Sequence, residues 1–404
     1  MRVVYLSPSA QLGGAELSLL DVMACMRARA PQSSLTLIAG DEGPLIDRAA
    51  RLGVDTVTLP FPRAVAQIGD AGAGGNAGAQ VGRGALTARL LLAAPGVASY
   101  VSRLRTALRN RQPDIIHTNG FKMHVLGSWA RPADVPVLWH VRDYVSARPL
   151  AARFMKALAP TCTAAIANSE SVARDLRTVC GDGLRVHAVH NRIDVERFSP
   201  VGATLDLDAW SKLPPAADGM IRVGLPATFA RWKGHDVFLK ALSILCANRG
   251  VRGYVIGGAL YKTAGSQYTM AELRSLARDL GVEQTVGFTG YVDDPAAALR
   301  SLDIVVHAST QPEPFGRVIV EAMACGKAVI VSRGGGASEL IDQDTNAVSF
   351  TPGRADELAQ QIEKLAADDS LRQALGRAGR DTALKRFDRA HLADEIIRIY
   401  ESVR

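Results

Sequence analysis

Short apolar runs alternate with longer stretches of helical spacing along most of the 404-residue chain. Residues 2–7 (RVVYLS) read as a strand, and Ala15 to Arg29 as a helix. Leu35 to Ala39 and Val57 to Leu59 are further strands, with a helix from Leu45 to Arg51 between them. Asp114 to His117, Val137 to His140, Ala164 to Ala167 and Val186 to Val189 continue the series, and Asn168-Ser169 supplies a helix N-cap. A second series runs through Ile221 to Leu225, Tyr254 to Gly257 and Val286 to Phe288, with a helix from Met270 to Leu280. Strands this short and apolar, separated by helices, argue for doubly wound parallel sheets buried on both faces.

The densest pattern runs from Asp303 to Glu339 (DIVVHASTQPEPFGRVIVEAMACGKAVIVSRGGGASE). Asp303 to His307 is a strand, and Pro312 and Pro314 hold the following residues out of a helix. Gly316 opens a helix with Val318, Ile319, Ala322 and Met323 at helical spacing; Gly326 stops it, and Ala328 to Val331 is a strand again. A strand that runs through a loop into a helix places free backbone N–H groups at the carboxyl edge of a parallel sheet. Anions bind there, and in open α/β sheets ligands bind along that edge. Glu313 precedes the helix and Glu321 lies inside it; a carboxylate accepts hydrogen bonds and so suits sugar or ribose hydroxyls.

Three stretches break the alternation. Gly69 to Gly84 is rich in Gly and Ala, a low-complexity segment expected to be mobile. The helix that follows, Val97 to Arg111, puts Val97, Val101, Leu104 and Leu108 on one face, and six arginines with no acid lie between Arg83 and Arg111. Arginines in solvent on an ordinary packed helix account for this; contact with an anionic membrane surface is the alternative. Residues 199–219, with Pro200, Pro214 and Pro215, read as a linker, and its Asp206-Leu207-Asp208 as a solvated pair rather than a metal site. Near the end, Ala355 to Leu365 and Leu371 to Leu384 are helices, and Leu392, Ile396, Ile397 and Tyr400 make an apolar face on the last one.

Length suggests two or three domains. No apolar run approaches the roughly 18 residues of a membrane span, and the amino terminus lacks a signal-peptide pattern. The five cysteines are scattered without metal-ligand spacing, which favours buried thiols in a reducing cytoplasm. Residues 1–200 carry 23 Lys and Arg against 15 Asp and Glu; residues 201–404 carry 24 against 25. The basic first half suggests an anionic partner. Nucleic acid is not favoured, because aromatic interleaving and nucleic-acid motifs are missing.

Other chemistry-bearing residues sit at strand ends. Gly13-Gly14 lets backbone approach a ligand, although a plain tight turn with Glu16 supporting the helix start fits as well. His117 and His140 each close a strand, where a hydrogen-bonded structural histidine is the more common outcome. Arg231 and Lys233 precede Gly234 at a helix start, two cations suited to a departing diphosphate.

Glu313-Pro314-Phe315-Gly316 followed by Glu321, Ala322-Met323-Ala324-Cys325-Gly326-Lys327 and Gly334-Gly335-Gly336 with Glu339 resembles the E-x7-E segment of the family 4 retaining glycosyltransferases. The resemblance implies an α/β GT-B fold: two facing Rossmann-like domains with parallel sheets and an interdomain cleft. It divides the chain into an acceptor-side domain 1–198, the linker 199–219, a nucleotide-sugar-binding domain 220–386, and a helix 387–404 crossing back to the first domain. It implies transfer of a sugar from a nucleotide-diphosphate-sugar, UDP- or GDP-linked, to an acceptor hydroxyl on a glycan or glycolipid. Configuration would be retained, without metal or cofactor, in the cytoplasm or at the inner membrane face. By resemblance Glu321 holds ribose, while Glu313 and the backbone of Phe315 and Gly316 hold the sugar. Lys233 and Arg231 hold the diphosphate, Gly14 approaches it, His140 lies by the anomeric centre, and Gly290 borders the base. Thr228 occupies the usual arginine position, so Arg231 is taken to stand in; Arg192 stands where the family commonly has glycine. A nucleotide-sugar-binding scaffold without transfer activity and a nucleotide-sugar epimerase of the same fold are the alternatives.

Overall fold

The computed structural model describes residues 1–62, 83–245, 250–259 and 265–404; for 83–93 it describes backbone only. The glycine-rich segment 69–84 lies almost wholly outside the described residues. The chain divides into two compact units, Met1–Arg192 with Arg389–Arg404, and Ile193–Asp388. The residues read as a linker, 199–219, are part of the second unit.

In the first unit seven parallel strands are β1 (Arg2–Ser7), β2 (Ser34–Ala39), β3 (Asp55–Thr58), β4 (Ile115–Asn119), β5 (Val137–Val141), β6 (Ala164–Ala167) and β7 (Val186–Ala188). Their order is β3-β2-β1-β4-β5-β6-β7. Alternation along each strand feeds two cores. Val3 and Tyr5 pack with Leu19 and Met23 of the helix Gly14–Arg29 and with Ile396 and Tyr400 of the helix Leu392–Glu401. Val4 and Leu6 pack with Tyr100, Leu104 and Leu108 of the helix Arg83–Arg111. Arg192 keeps a negative φ, so its turn needs no glycine, and its guanidinium pairs with Glu395 at 2.7 Å.

The second unit repeats the plan with β8 (Ile221–Pro226), β9 (Val251–Ile256), β10 (Val286–Gly290), β11 (Ile304–His307), β12 (Ala328–Ser332) and β13 (Val348–Phe350), in the order β10-β9-β8-β11-β12-β13. In each sheet the strand order reverses beside its first strand, between β1 and β4 and between β8 and β11. A crevice opens at such a switch point, outside the carboxyl ends of the strands. The Asp206-Leu207-Asp208 segment corrects the expectation of a solvated pair. Asp206 caps the short helix Leu207–Ser211 through Ala209 N. Asp208 is buried and takes Arg252 at 2.7 Å and the Tyr254 hydroxyl at 2.6 Å. Burial would raise its carboxyl, but hydrogen bonds from Tyr254, Arg252 and the Ala216 N–H outweigh that and bring it to about 2.

Candidate functional site

At the second unit's switch point two loops interlock. The loop after β8 carries Arg231, Trp232 and Lys233; the loop after β11 runs from Ala308 to Gly316. Thr310 N–H donates to the Trp232 carbonyl at 2.7 Å. Gly234 has φ +74, and a Cβ there would overlap the Ala308 carbonyl. Lys233 Nζ lies 2.7 Å from Glu313 Oε2, which also accepts from the Ser309 hydroxyl at 2.7 Å and lies 3.2 Å from His307 Nε2. Burial would raise the Glu313 carboxyl. The Lys233 charge and the hydrogen bonds from His307 and Lys233 win, and hold it well below the usual carboxylate range. Gly336 N–H donates to the Glu313 carbonyl at 2.7 Å, tying the glycine run to the same loop.

Gly316 caps the helix Arg317–Ala324 at φ 91, where a Cβ would strike Ile319. The dipole of that helix places partial positive charge at its first turn. Phe315 is core: its ring is buried and meets Phe387 edge-on at 6.1 Å, so its side chain is not the part a ligand would meet. Glu321 pairs with Arg317 Nε at 2.7 Å along the helix. Arg231 is directed elsewhere: it pairs with Glu272 at 2.7 Å, lies 4.3 Å from the Tyr268 ring centre and donates to the Gly265 carbonyl. Gly290 closes β10 at φ +69 with open space around it.

In the first unit Gly14 is exposed, and a Cβ there would meet nothing within 4 Å. Glu16 accepts from Gly13 N–H at 3.2 Å, the helix-start role read from the sequence. His140 is 2% exposed at the end of β5. Its Nδ1 lies 3.0 Å from His117 Nε2 and 3.1 Å from Arg142 Nη2. His117 Nδ1 lies 2.7 Å from the Tyr400 hydroxyl. Burial, then the charge of Arg142, pushes the His140 ring well below its ordinary value and keeps it neutral. Among the described residues no three His, Cys, Asp or Glu side chains are grouped to hold a metal ion.

Residues 13–197 match the Glycosyltransferase Family 4 family, and residues 215–382 match Glycosyl transferases group 1. The chain belongs to the family 4 glycosyltransferases. It is 29% identical over 208 residues to the lipopolysaccharide core biosynthesis glycosyltransferase LpsE of Rhizobium meliloti, covering 52% of this chain and 57% of that one. It is 30% identical over 252 residues to the D-inositol 3-phosphate glycosyltransferase of Jonesia denitrificans, covering 60% and 57%. The chain therefore spans a little over half the length of these curated relatives. Anabaena HepE, solved in complex with UDP-glucose, superposes with a TM-score of 0.79 at 25% identity over 100% of both chains. Sucrose-phosphate synthase of Thermosynechococcus elongatus shares the fold, with a TM-score of 0.78 at 19% identity over 100% of this chain and 99% of that one.

As a family 4 glycosyltransferase the chain has the GT-B fold, two parallel-sheet Rossmann-like units. Of the residues singled out in the sequence, Lys233 and Glu313 meet in one ion pair, next to the helix start at Gly316. Arg231, two residues from Lys233, points to Glu272 instead. His307 and Ser309 were not singled out, although both flank a strand end inside the densest pattern. Asn119, Arg142, Asn191 and Tyr400 were not singled out as site residues either. Arg142 lies two residues from His140, but Asn119, Asn191 and Tyr400 come from distant parts of the chain, and only the fold joins them to the Arg142–His140–His117 cluster.

Proposed function

We propose that this family 4 glycosyltransferase moves a sugar from a UDP-sugar to an acceptor hydroxyl with retention of configuration. The observation that carries this is the ion pair of Lys233 with buried Glu313 beside the helix start at Gly316. A cation, an acceptor-only carboxylate and a helix dipole together suit a diphosphate on one side and hydroxyls on the other. The UDP and UDP-glucose held by HepE favour uridine over guanosine. In this scheme Lys233 and the first-turn N–H groups stabilise the departing diphosphate, with Arg231 turning from its exposed pair to assist. Glu313 and the Phe315 and Gly316 backbone hold the sugar, Glu321 the ribose, and Gly290 leaves room for the base. Gly14 approaches the phosphates, and His140 serves the reacting sugar. The acceptor attacks from the leaving-group side, and the diphosphate takes its proton. The charge comes from the protein, so the step as written uses no metal. The name of LpsE, a lipopolysaccharide core glycosyltransferase, supports a surface-glycan or lipid-linked acceptor, reached from the cytoplasm at the inner membrane face by the basic first half.

A thermal-shift screen against UDP-, GDP- and ADP-sugars tests the donor, because a ligand that binds only the folded state raises the midpoint. UDP-sugars should stabilise most, and Lys233→Ala should abolish the shift. Donor turnover without transfer to any hydroxyl, or formation of an epimer from donor alone, would overturn the transferase assignment. NMR of the product's anomeric proton decides retention.

A further inference from the structure

Arg142 follows β5, and its guanidinium bonds three neutral side chains. Nε donates to Asn119 Oδ1 at 2.7 Å, Nη1 donates to Asn191 Oδ1, and Nη2 meets His140 Nδ1 at 3.1 Å. A guanidinium carries donors only and stays charged, so each partner must turn a lone pair toward it. A neutral imidazole has one N–H. With Nδ1 of His140 accepting, its proton sits on Nε2. His117 Nε2, 3.0 Å from the same Nδ1, must then donate, and its own Nδ1 accepts the Tyr400 hydroxyl proton. Asn119 obeys the same rule: with Oδ1 facing Arg142, its NH2 group faces away.

The consequence lies at the sheet edge. His140 Nε2 and Asn119 Nδ2 are both buried, and neither has a hydrogen-bond partner among the described residues. Asn119 and His140 are register partners across β4 and β5, so their side chains leave the same face. Two buried donors without partners on one face, next to the switch point, call for oxygen atoms from a ligand.

We propose that Arg142 is a positioning residue that turns His140 and Asn119 outward as hydrogen-bond donors, for a ligand oxygen that accepts. Only the identity of that ligand, a sugar-bearing substrate, rests on the proposed transfer. Without Arg142 the proton chain can reverse. His140 Nδ1–H would donate to His117 Nε2, and His117 Nδ1–H to the Tyr400 oxygen. Each ring keeps one proton and both internal bonds survive, but His140 would show its ligand a lone pair. Arg142 is what selects between the two directions.

Nitrogen-15 NMR of the full chain labelled at histidine reads the ring protons directly, with His140 and His117 assigned by signal loss in His140→Gln and His117→Gln. In the wild type both rings should be protonated at Nε2 and bare at Nδ1. Arg142→Met should move the His140 proton toward Nδ1, whereas Arg142→Lys, still a donor only, should leave it in place. In transfer assays Arg142→Met should lower kcat about 10- to 100-fold with donor KM changed less than about threefold, and Arg142→Lys should recover most of the loss. A wild-type His140 protonated at Nδ1, or an unchanged His140 in Arg142→Met, overturns the proposal. The wild-type spectrum decides even if Arg142→Met does not fold. Rings as expected in a protein that transfers no sugar would leave the role of Arg142 standing and remove the proposed function.

Discussion

Lys233 and Glu313 show how far single residues can be read. Both stood out in the sequence, one before a helix-opening glycine and one beside two prolines, but their pairing is a tertiary fact across 80 positions. The carboxylate is buried, so its charge depends on the lysine. Lys233→Met should cost roughly 3 kcal/mol at pH 7, because it leaves a buried carboxylate unpaired. Glu313 sits below its unfolded value in the folded wild type, so its contribution is complete above about pH 5 and is lost progressively as pH falls below that. In the variant burial is opposed only by the bonds from His307 and Ser309, so the group rises from its wild-type value and protonates more readily, which relieves the cost on acidification. Urea unfolding at pH 7 and pH 3 should therefore show the gap between the two proteins narrowing at pH 3; a constant gap would mean that the pair is not what charges Glu313. Arg142 marks the other extreme. Two of its partners lie 23 and 49 residues away, and no local pattern marks a residue whose work is to orient two others.

At the scale of elements, strands were legible because parallel strands buried on both faces are continuous apolar runs. Loops were legible only where glycine or proline punctuates them. Gly234 is such a point: its φ of +74 is left-handed, and a Cβ there would overlap the Ala308 backbone. Gly234→Ala should cost at least about 2 kcal/mol from the left-handed backbone and the clash, and should pull the Lys233 loop off the loop after β11. Its thermal midpoint should fall and its response to UDP-sugar should weaken together; a normal response at a lowered midpoint would separate stability from site geometry. The short helix Leu207–Ser211 was not legible, because what holds it is the bond of Asp208 to Arg252 and Tyr254, 44 and 46 residues on. With its folded value near 2 against an ordinary value near 4, Asp208 contributes on the order of 2 kcal/mol above about pH 4. That contribution disappears as pH falls from about 4 to 2. Asp208→Asn should flatten this part of the acid unfolding curve, and an unchanged curve would rule out Asp208 as its source.

Across the whole molecule the repeated alternation made two sheet-based units readable, whereas the exchange of the chain between them was expected only from resemblance. The last segment, Arg389–Arg404, belongs to the first unit although the second precedes it in sequence. Leu392, Ala393, Ile396, Ile399 and Tyr400 are all buried there, against Tyr5, Leu19 and Met23 among others. At about 1.5–3 kcal/mol for each large apolar side chain, removing them forfeits roughly 6–12 kcal/mol. That is comparable with the roughly 5–15 kcal/mol that holds a typical domain folded. Deleting residues 389–404 should therefore unfold the first unit while leaving Ile193–Asp388, whose cores do not draw on that segment, intact. Calorimetry should show one transition in place of those of the full chain, and that transition should still move upward with UDP-sugar, because Lys233, Glu313 and Gly316 all lie in the surviving unit. A truncated chain that keeps every transition would show that the last helix is ornamental to the first unit's core. A surviving transition that ignores UDP-sugar would mean that the second unit does not hold the donor by itself.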